Sequence, residues 1–156
     1  MTVERVLTGH DLFRSLNVDE AHRVSDFSSV KEYRAGDTVF KYNEPASHVY
    51  MLMTGSVDLL LPARPSEFNF VISKIEKGEL FGLSPLLDSK RYTATAQCRE
   101  RTELLSVEAM PLRELLLNNN LAGFNMMNQV ARTYFARYIS VLESLQGVIS
   151  QISLIR

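Results

Sequence analysis

The sequence predicts an α+β fold: an antiparallel β-roll, of the double-stranded β-helix or jelly-roll kind, flanked by N-terminal helices and a long C-terminal helix. Two observations carry this expectation. Between Val30 and Val107 short apolar runs alternate with turn residues, the texture of antiparallel strands that close over a shared interior. From Phe124 onward apolar residues return instead every three or four positions, which is the period of a helix. With 156 residues, 46% of them apolar, the chain can bury one ordinary core without disulfides or a structural metal.

Taken in order, "HDLFRSL" and "NVDEAHRVSDFSSV" space their apolar residues as two short helices. Asn17 is placed to cap the second, with Asp19 and Glu20 in its first turn. The β-region follows as "EYRAGDTVF", "NEPASHVYMLMTGSVDLLLP", "FNFVISKIEKGELFG" and "RYTATAQCRERTELLSVE". Pro111 suits a first helical turn, and "PLRELLLNN" reads as a helix that ends in the Asn run 118–120.

The long helix carries a heptad seam of Phe124, Met127, Ala131, Tyr134, Tyr138, Val141, Leu145, Val148, Ile152 and Ile155. A seam of this length predicts a parallel homodimer. A second stripe, Phe135, Leu142 and Ile149, runs beside it, so that one stripe would meet a partner helix and the other the chain's own β-domain. A single buried helix in a monomer is the alternative, but a helix of about 35 residues is longer than this domain can cover. Gly147 is a weak spot or hinge within it. The expected division is a β-roll domain with its flanking helices over 1–121 and a dimerisation helix over 122–156.

Seventeen basic residues nearly balance eighteen acidic ones, without a run of Lys or Arg, so no nucleic-acid contact is expected from this chain alone. The only cysteine, Cys98, rules out a disulfide framework and reads as a buried thiol. The opening "MTVERVLTGHDLF" has charges where a signal peptide would be apolar, and no run is long enough to span a bilayer. A cytoplasmic location without a membrane partner is expected. His10, His22 and His48 stand far apart, with no nucleophile motif, paired carboxylates or metal-ligand spacing around them. No enzymatic activity, catalytic residue, metal or cofactor is expected.

The order and spacing of "YRAGDTVF", "NEPASHVYMLMTGSV", "ISKIEKGELFG", "TATA" and "TELLSVEAMPLRELL" resemble the cyclic-nucleotide-binding domain family, which includes the catabolite activator proteins and the regulatory subunits of cyclic-AMP-dependent kinase. Gly36, Gly55, Gly78 and Gly82 fall where turns need positive φ or close backbone approach. The resemblance implies a β-roll with a long helix that makes a parallel dimer. It also implies a short helix, opening at a Gly-Glu pair, whose N–H groups receive a cyclic phosphate. The glutamate would hold the ribose, and an arginine about nine positions on would neutralise the phosphate.

Here Phe81-Gly82 is followed by Leu83, which cannot accept a hydrogen bond. Arg91 lies eight positions after Leu83 and Tyr92 nine. Alternate residues from Tyr92 are Ala94, Ala96 and Cys98, whereas those from Arg91 are Thr93, Thr95 and Gln97. The small apolar set belongs inside, so Tyr92 takes the arginine position. Arg91 would point outward or sit in the preceding loop, from which it could still bend toward an anion. Cys98 alone is a poor basis for a haem-sensing variant.

Strong binding of cyclic AMP or cyclic GMP is therefore not expected. Burying a phosphate without a paired cation costs several kcal/mol, and a helix N-terminus returns only about 1–2. The candidate ligand site is an altered cassette of Phe81, Gly82, Leu83, Ser84, Arg91, Tyr92 and Thr93, with the Ser84 and Thr93 hydroxyls as polar handles. In the family the base is capped partway along the dimer helix, where Tyr134, Arg137 and Tyr138 stand here. The expected partners are a second copy, a small anion, an aromatic acid or a nucleotide, and a protein that receives the signal. Two alternatives stay open: a ligand-free interaction module whose pocket Tyr92 fills, and the sensory part of a catabolite-activator-type transcription regulator, whose helix-turn-helix would need residues beyond Arg156.

Overall fold

The computed structural model describes residues 3–62 and 69–153. Helices α1 (Val3–Gly9) and α2 (Val18–Asp26) lead into eight strands: β1 (Ser28–Tyr33), β2 (Thr38–Phe40), β3 (His48–Thr54), β4 (Val57–Pro62), β5 (Asn69–Ile75), β6 (Leu80–Phe81), β7 (Thr95–Cys98) and β8 (Thr102–Glu108). Helices α3 (Ala109–Asn118) and α4 (Asn120–Ser153) follow. The strands form two four-stranded antiparallel sheets, ordered β1-β8-β3-β6 and β2-β7-β4-β5. This is the expected β-roll with helices at both ends.

Alternation along the strands sorts the side chains into two cores. Phe40, Tyr50, Leu52, Leu59, Phe81, Tyr92, Ala96 and Leu104 fill the interior of the roll. Val49, Met51, Met53, Leu105 and Val107 point to the other face of the first sheet, where Leu7, Val24, Leu112, Met126 and Val130 of the helices cover them. The apolar run in "HVYMLMT" is thus a strand covered on both faces.

Local capping sets the helix ends. At α2, the Asn17 side chain accepts from the Glu20 N–H (2.8 Å) while the Glu20 carboxylate accepts from the Asn17 N–H (2.9 Å). At the corner between α3 and α4, the Asn119 N–H donates to Leu115 O (3.1 Å), closing α3. The Asn119 Oδ1 accepts from the Ala122 N–H (3.0 Å), opening α4, and its Nδ2 donates to both oxygens of Glu20 (2.9 and 3.0 Å). The two helices approach so closely that a Cβ on Gly123 would stand 2.6 Å from Leu116 O.

The structure departs from the sequence reading in three places. The first helix, Val3–Gly9, lies wholly before "HDLFRSL", and Asp11–Phe13 form only a 3₁₀ turn. Buried Leu7 and Phe13 both pack on the helix-side core, and a ring nitrogen of His10 bonds Gly78 O (2.9 Å) between them. The "FSSV" segment is not helical: pairing of Ser28–Tyr33 with Val107–Thr102 outweighs another helical turn. Finally, neither predicted stripe of α4 packs on the chain's own core. Phe135 and Ile149 are more than 60% exposed, and the docked face is Ala122, Met126 and Val130. That face is chosen by the Asn119 corner, which aims α4 across the first sheet. Gly147 lies inside an uninterrupted α4. Among the described residues, no helix is long and apolar enough to cross a membrane.

Candidate functional site

The predicted site residues converge where α4 crosses the mouth of the roll. A cavity of about 280 Å³ opens there, lined by Phe40, Leu59, Ile72, Gly82, Leu83, Ser84, Tyr92, Thr93, Ala94, Tyr134, Arg137, Tyr138 and Val141. Its floor comes from β2, β4, β5, the turn after β6 and the residues before β7, and its roof from α4.

The cassette side follows from Gly82. Its φ is +65°, and a Cβ there would stand 3.0 Å from both Phe40 and Tyr50, so only glycine fits against those rings. The chain then turns through Leu83 into a single 3₁₀ turn, Ser84–Leu87, for which Leu83 provides no side-chain cap. Leu83 and Ser84 are both buried. The turn ends at Asp88 in the left-handed region, where Arg113 of α3 grips the carboxylate with two hydrogen bonds, one of them from Nη2 at 2.7 Å. The guanidinium beside it holds the Asp88 carboxyl below its ordinary range.

Strand β7 and the residues before it settle which side chains face inward. Tyr92, Ala94, Ala96 and Cys98 are buried, whereas Arg91 and Thr93 are exposed. The Tyr92 ring stacks on Phe40, with centroids 3.9 Å apart and planes at 16°. Its hydroxyl donates to His48 O (2.8 Å) and accepts from the His48 N–H (3.2 Å). Behind this pair, Tyr50 and Phe81 continue the aromatic cluster, with centroids 5.5 Å apart. Burial, with the Tyr92 hydroxyl nearby, pushes the Tyr50 hydroxyl up in pKa.

Arg91 does not line the cavity: its Nη1 donates to Asn43 O (2.6 Å) on the exposed side of the loop. Phe81 lies behind the cavity wall in the roll core. The charged group that does line the cavity is Arg137. Its Nη2 donates to Leu80 O (3.2 Å), and its guanidinium carbon lies 5.9 Å from the centre of the Tyr134 ring. Burial lowers its pKa, and the charge of Glu79 offsets part of that cost. Partial burial against the cavity likewise raises the pKa of Tyr134, which stays 37% exposed.

Sequence reasoning named Gly82, Leu83, Ser84, Tyr92, Thr93, Tyr134, Arg137 and Tyr138, all of which line the cavity. It passed over Phe40, Leu59, Ile72 and Ala94, and read Val141 only as a seam residue. The inward alternation of "TVF" and "VDLLL" was the signal available for Phe40 and Leu59. Of the predicted dimer residues, Phe124, Met127, Ala131, Tyr134, Tyr138, Val141, Leu145, Val148 and Ile152 are all exposed; Ile155 lies outside the described residues. His10, His22 and His48 stay apart, and no group of His, Cys, Asp and Glu among the described residues could hold a metal ion.

A family model for the cyclic nucleotide-binding domain matches residues 30–119. The cAMP-dependent protein kinase regulatory subunit of Mycosarcoma maydis is 24% identical over 111 residues, which are 71% of this chain and 21% of that protein. The chain spans about a fifth to a quarter of the length of the curated relatives it matches. Among solved structures, a protein from Geobacter metallireducens described as a cyclic nucleotide-binding protein is 26% identical, with a TM-score of 0.72 over 88% of this chain and 98% of that one. The sensor domain of the transcriptional regulator DNR from Pseudomonas aeruginosa is 20% identical and has the same fold, with a TM-score of 0.72 over 83% of this chain and 91% of that one.

Proposed function

The chain belongs to the cyclic nucleotide-binding domain family, and on that footing we propose that it is a regulatory sensor whose cavity does not hold cyclic AMP or cyclic GMP strongly and whose state is passed on through a parallel dimer of α4. The observation that carries this reading is Tyr92. At the position where the family resemblance calls for a phosphate-binding arginine, a buried ring is stacked on Phe40 and its hydroxyl is occupied by the His48 backbone. A phosphate placed there would be desolvated against aromatic faces without a partner cation. Leu83, buried where a ribose-binding glutamate is called for, offers no acceptor.

Signalling through α4 is supported by the position of one helix in both tasks. Tyr134, Arg137 and Tyr138 line the cavity, while Tyr138, Val141, Leu145, Val148 and Ile152 of the same helix lie exposed on one heptad seam. A ligand that moves the first group moves the second, because a continuous helix transmits rotation. The test is titration calorimetry of the chain with cyclic AMP and with cyclic GMP. No binding at micromolar concentrations is expected. Binding at micromolar or tighter would overturn the reading and would mean that Arg91 leaves Asn43 to reach the phosphate.

A further inference from the structure

We propose that the cavity takes a small, flat carboxylic acid, whose carboxylate pairs with Arg137 while its apolar body lies between Tyr92, Leu83 and Tyr138. This rests on the reading of the chain as a sensor for something other than a cyclic nucleotide, and adds the chemistry of the ligand. Among the thirteen lining residues, Arg137 is the one that carries a charge. It is half-buried, and no carboxylate of the described residues lies within ion-pair distance of it. Among the described residues, one of its five N–H donors is engaged, by Leu80 O. Glu79 acts on it only across space, and burial disfavours its charge. A desolvated guanidinium with free donors is stabilised most by an anion that meets its planar fork with two parallel hydrogen bonds, the geometry of a carboxylate.

The remaining walls decide the rest of the ligand. Phe40, Tyr92, Tyr134 and Tyr138 present rings, while Leu83 and Val141 present methyl groups. Such walls favour an apolar, flat body, because ring faces and edges stack on it. At about 280 Å³ the cavity is at the lower end of small-molecule sites, so the body is small. One cation favours a monoanion: the second charge of a phosphate ester would be buried without a partner. Ser84 and Thr93 are the lining residues with aliphatic hydroxyl groups, which suit one further polar substituent on the ligand.

The test uses the full chain with 1-naphthoate as probe, and with 1-naphthamide, which has nearly the same shape and no charge. In calorimetry 1-naphthoate should bind at least about tenfold more tightly than the amide. Arg137→Gln should make the two equal, and Arg137→Lys should restore part of the preference. The result is overturned by equal affinities for acid and amide in the unaltered chain, by a preference that survives Arg137→Gln in a folded variant, or by no heat from 1-naphthoate at millimolar concentration. The acid-to-amide ratio in the unaltered chain stands even if the variants fail to fold. Inorganic phosphate serves as control: displacement of 1-naphthoate by phosphate at equal concentration would assign the site to phosphate chemistry and sink the proposal. Micromolar binding of cyclic AMP with normal 1-naphthoate discrimination would instead defeat only the parent reading.

Discussion

The two halves of α4 obey different rules. From Asn120 to Arg137 the helix buries Ala122, Met126 and Val130 on the β-roll and half-buries Thr133 and Arg137, a spacing of three and four that follows one face. From Val141 to Ile152 every residue is exposed, yet Val141, Leu145, Val148 and Ile152 keep the apolar period. The first half is held by its own domain. The second is exposed throughout its described residues, and an isolated helix of that length is marginal in water. The difference teaches that the period of an apolar stripe tells that a helix will pack, but not on what. The cavity, with Arg137, sits at the junction between the two regimes.

The largest effect is expected from the second half. Leu145→Lys should place a charge in the proposed seam and halve the molar mass measured by light scattering at tens of micromolar. A monomeric unaltered chain under those conditions would break the comparison, because the exposed seam would then need some other partner. The first half should respond differently. Met126→Ala should cost about 2–5 kcal/mol of stability in urea denaturation while leaving the molar mass unchanged. A cost well under about 1 kcal/mol would mean that the domain does not anchor the helix through this face.

The smallest effect concerns the base on which α3 and the cassette turn meet. The folded-state pKa of Asp88 is lowered, first by its hydrogen bonds with Arg113 and then by the charge of that residue. The contribution of the pair is therefore complete above the unfolded carboxyl pKa of about 3.9 and is lost as pH falls through the lower folded value. Asp88→Asn should flatten this part of the acid limb in a denaturation series across pH, and the molar mass should not change. An acid limb identical to that of the unaltered chain would leave the Asp88–Arg113 contact without a role in stability.

Much of the site was legible because strands alternate strictly. The choice between Arg91 and Tyr92 rested on the sets Ala94-Ala96-Cys98 and Thr93-Thr95-Gln97, and the first set is the buried one. A one-residue slip would have put three polar side chains into the roll, which is a large penalty encoded by local pattern alone. The alternation of "TVF" marks Phe40 as facing inward, but its place at the cavity depends on stacking against Tyr92, far along the chain. The Asn run was read as a helix end, and the dual capping by Asn119 was missed. Its partner Glu20 lies 99 residues away and already serves a capping box of its own.

By itself the sequence determined the β-roll, the long C-terminal helix and its heptad period, because all of these follow from the repeat of backbone geometry at two or about 3.6 residues. Only the tertiary structure decided which face of α4 is docked and which arginine meets the cavity. Arg91, next to the cassette in sequence, is drawn out to Asn43 across 48 positions, and Arg137 is brought in to Leu80 across 57. The reason is that α4 crosses the roll at an angle set by the Asn119 corner and the close contact at Gly123. The contacts of Asn119 with Glu20, Arg91 with Asn43 and Arg137 with Leu80 join residues far apart in the chain, so no local pattern contains them.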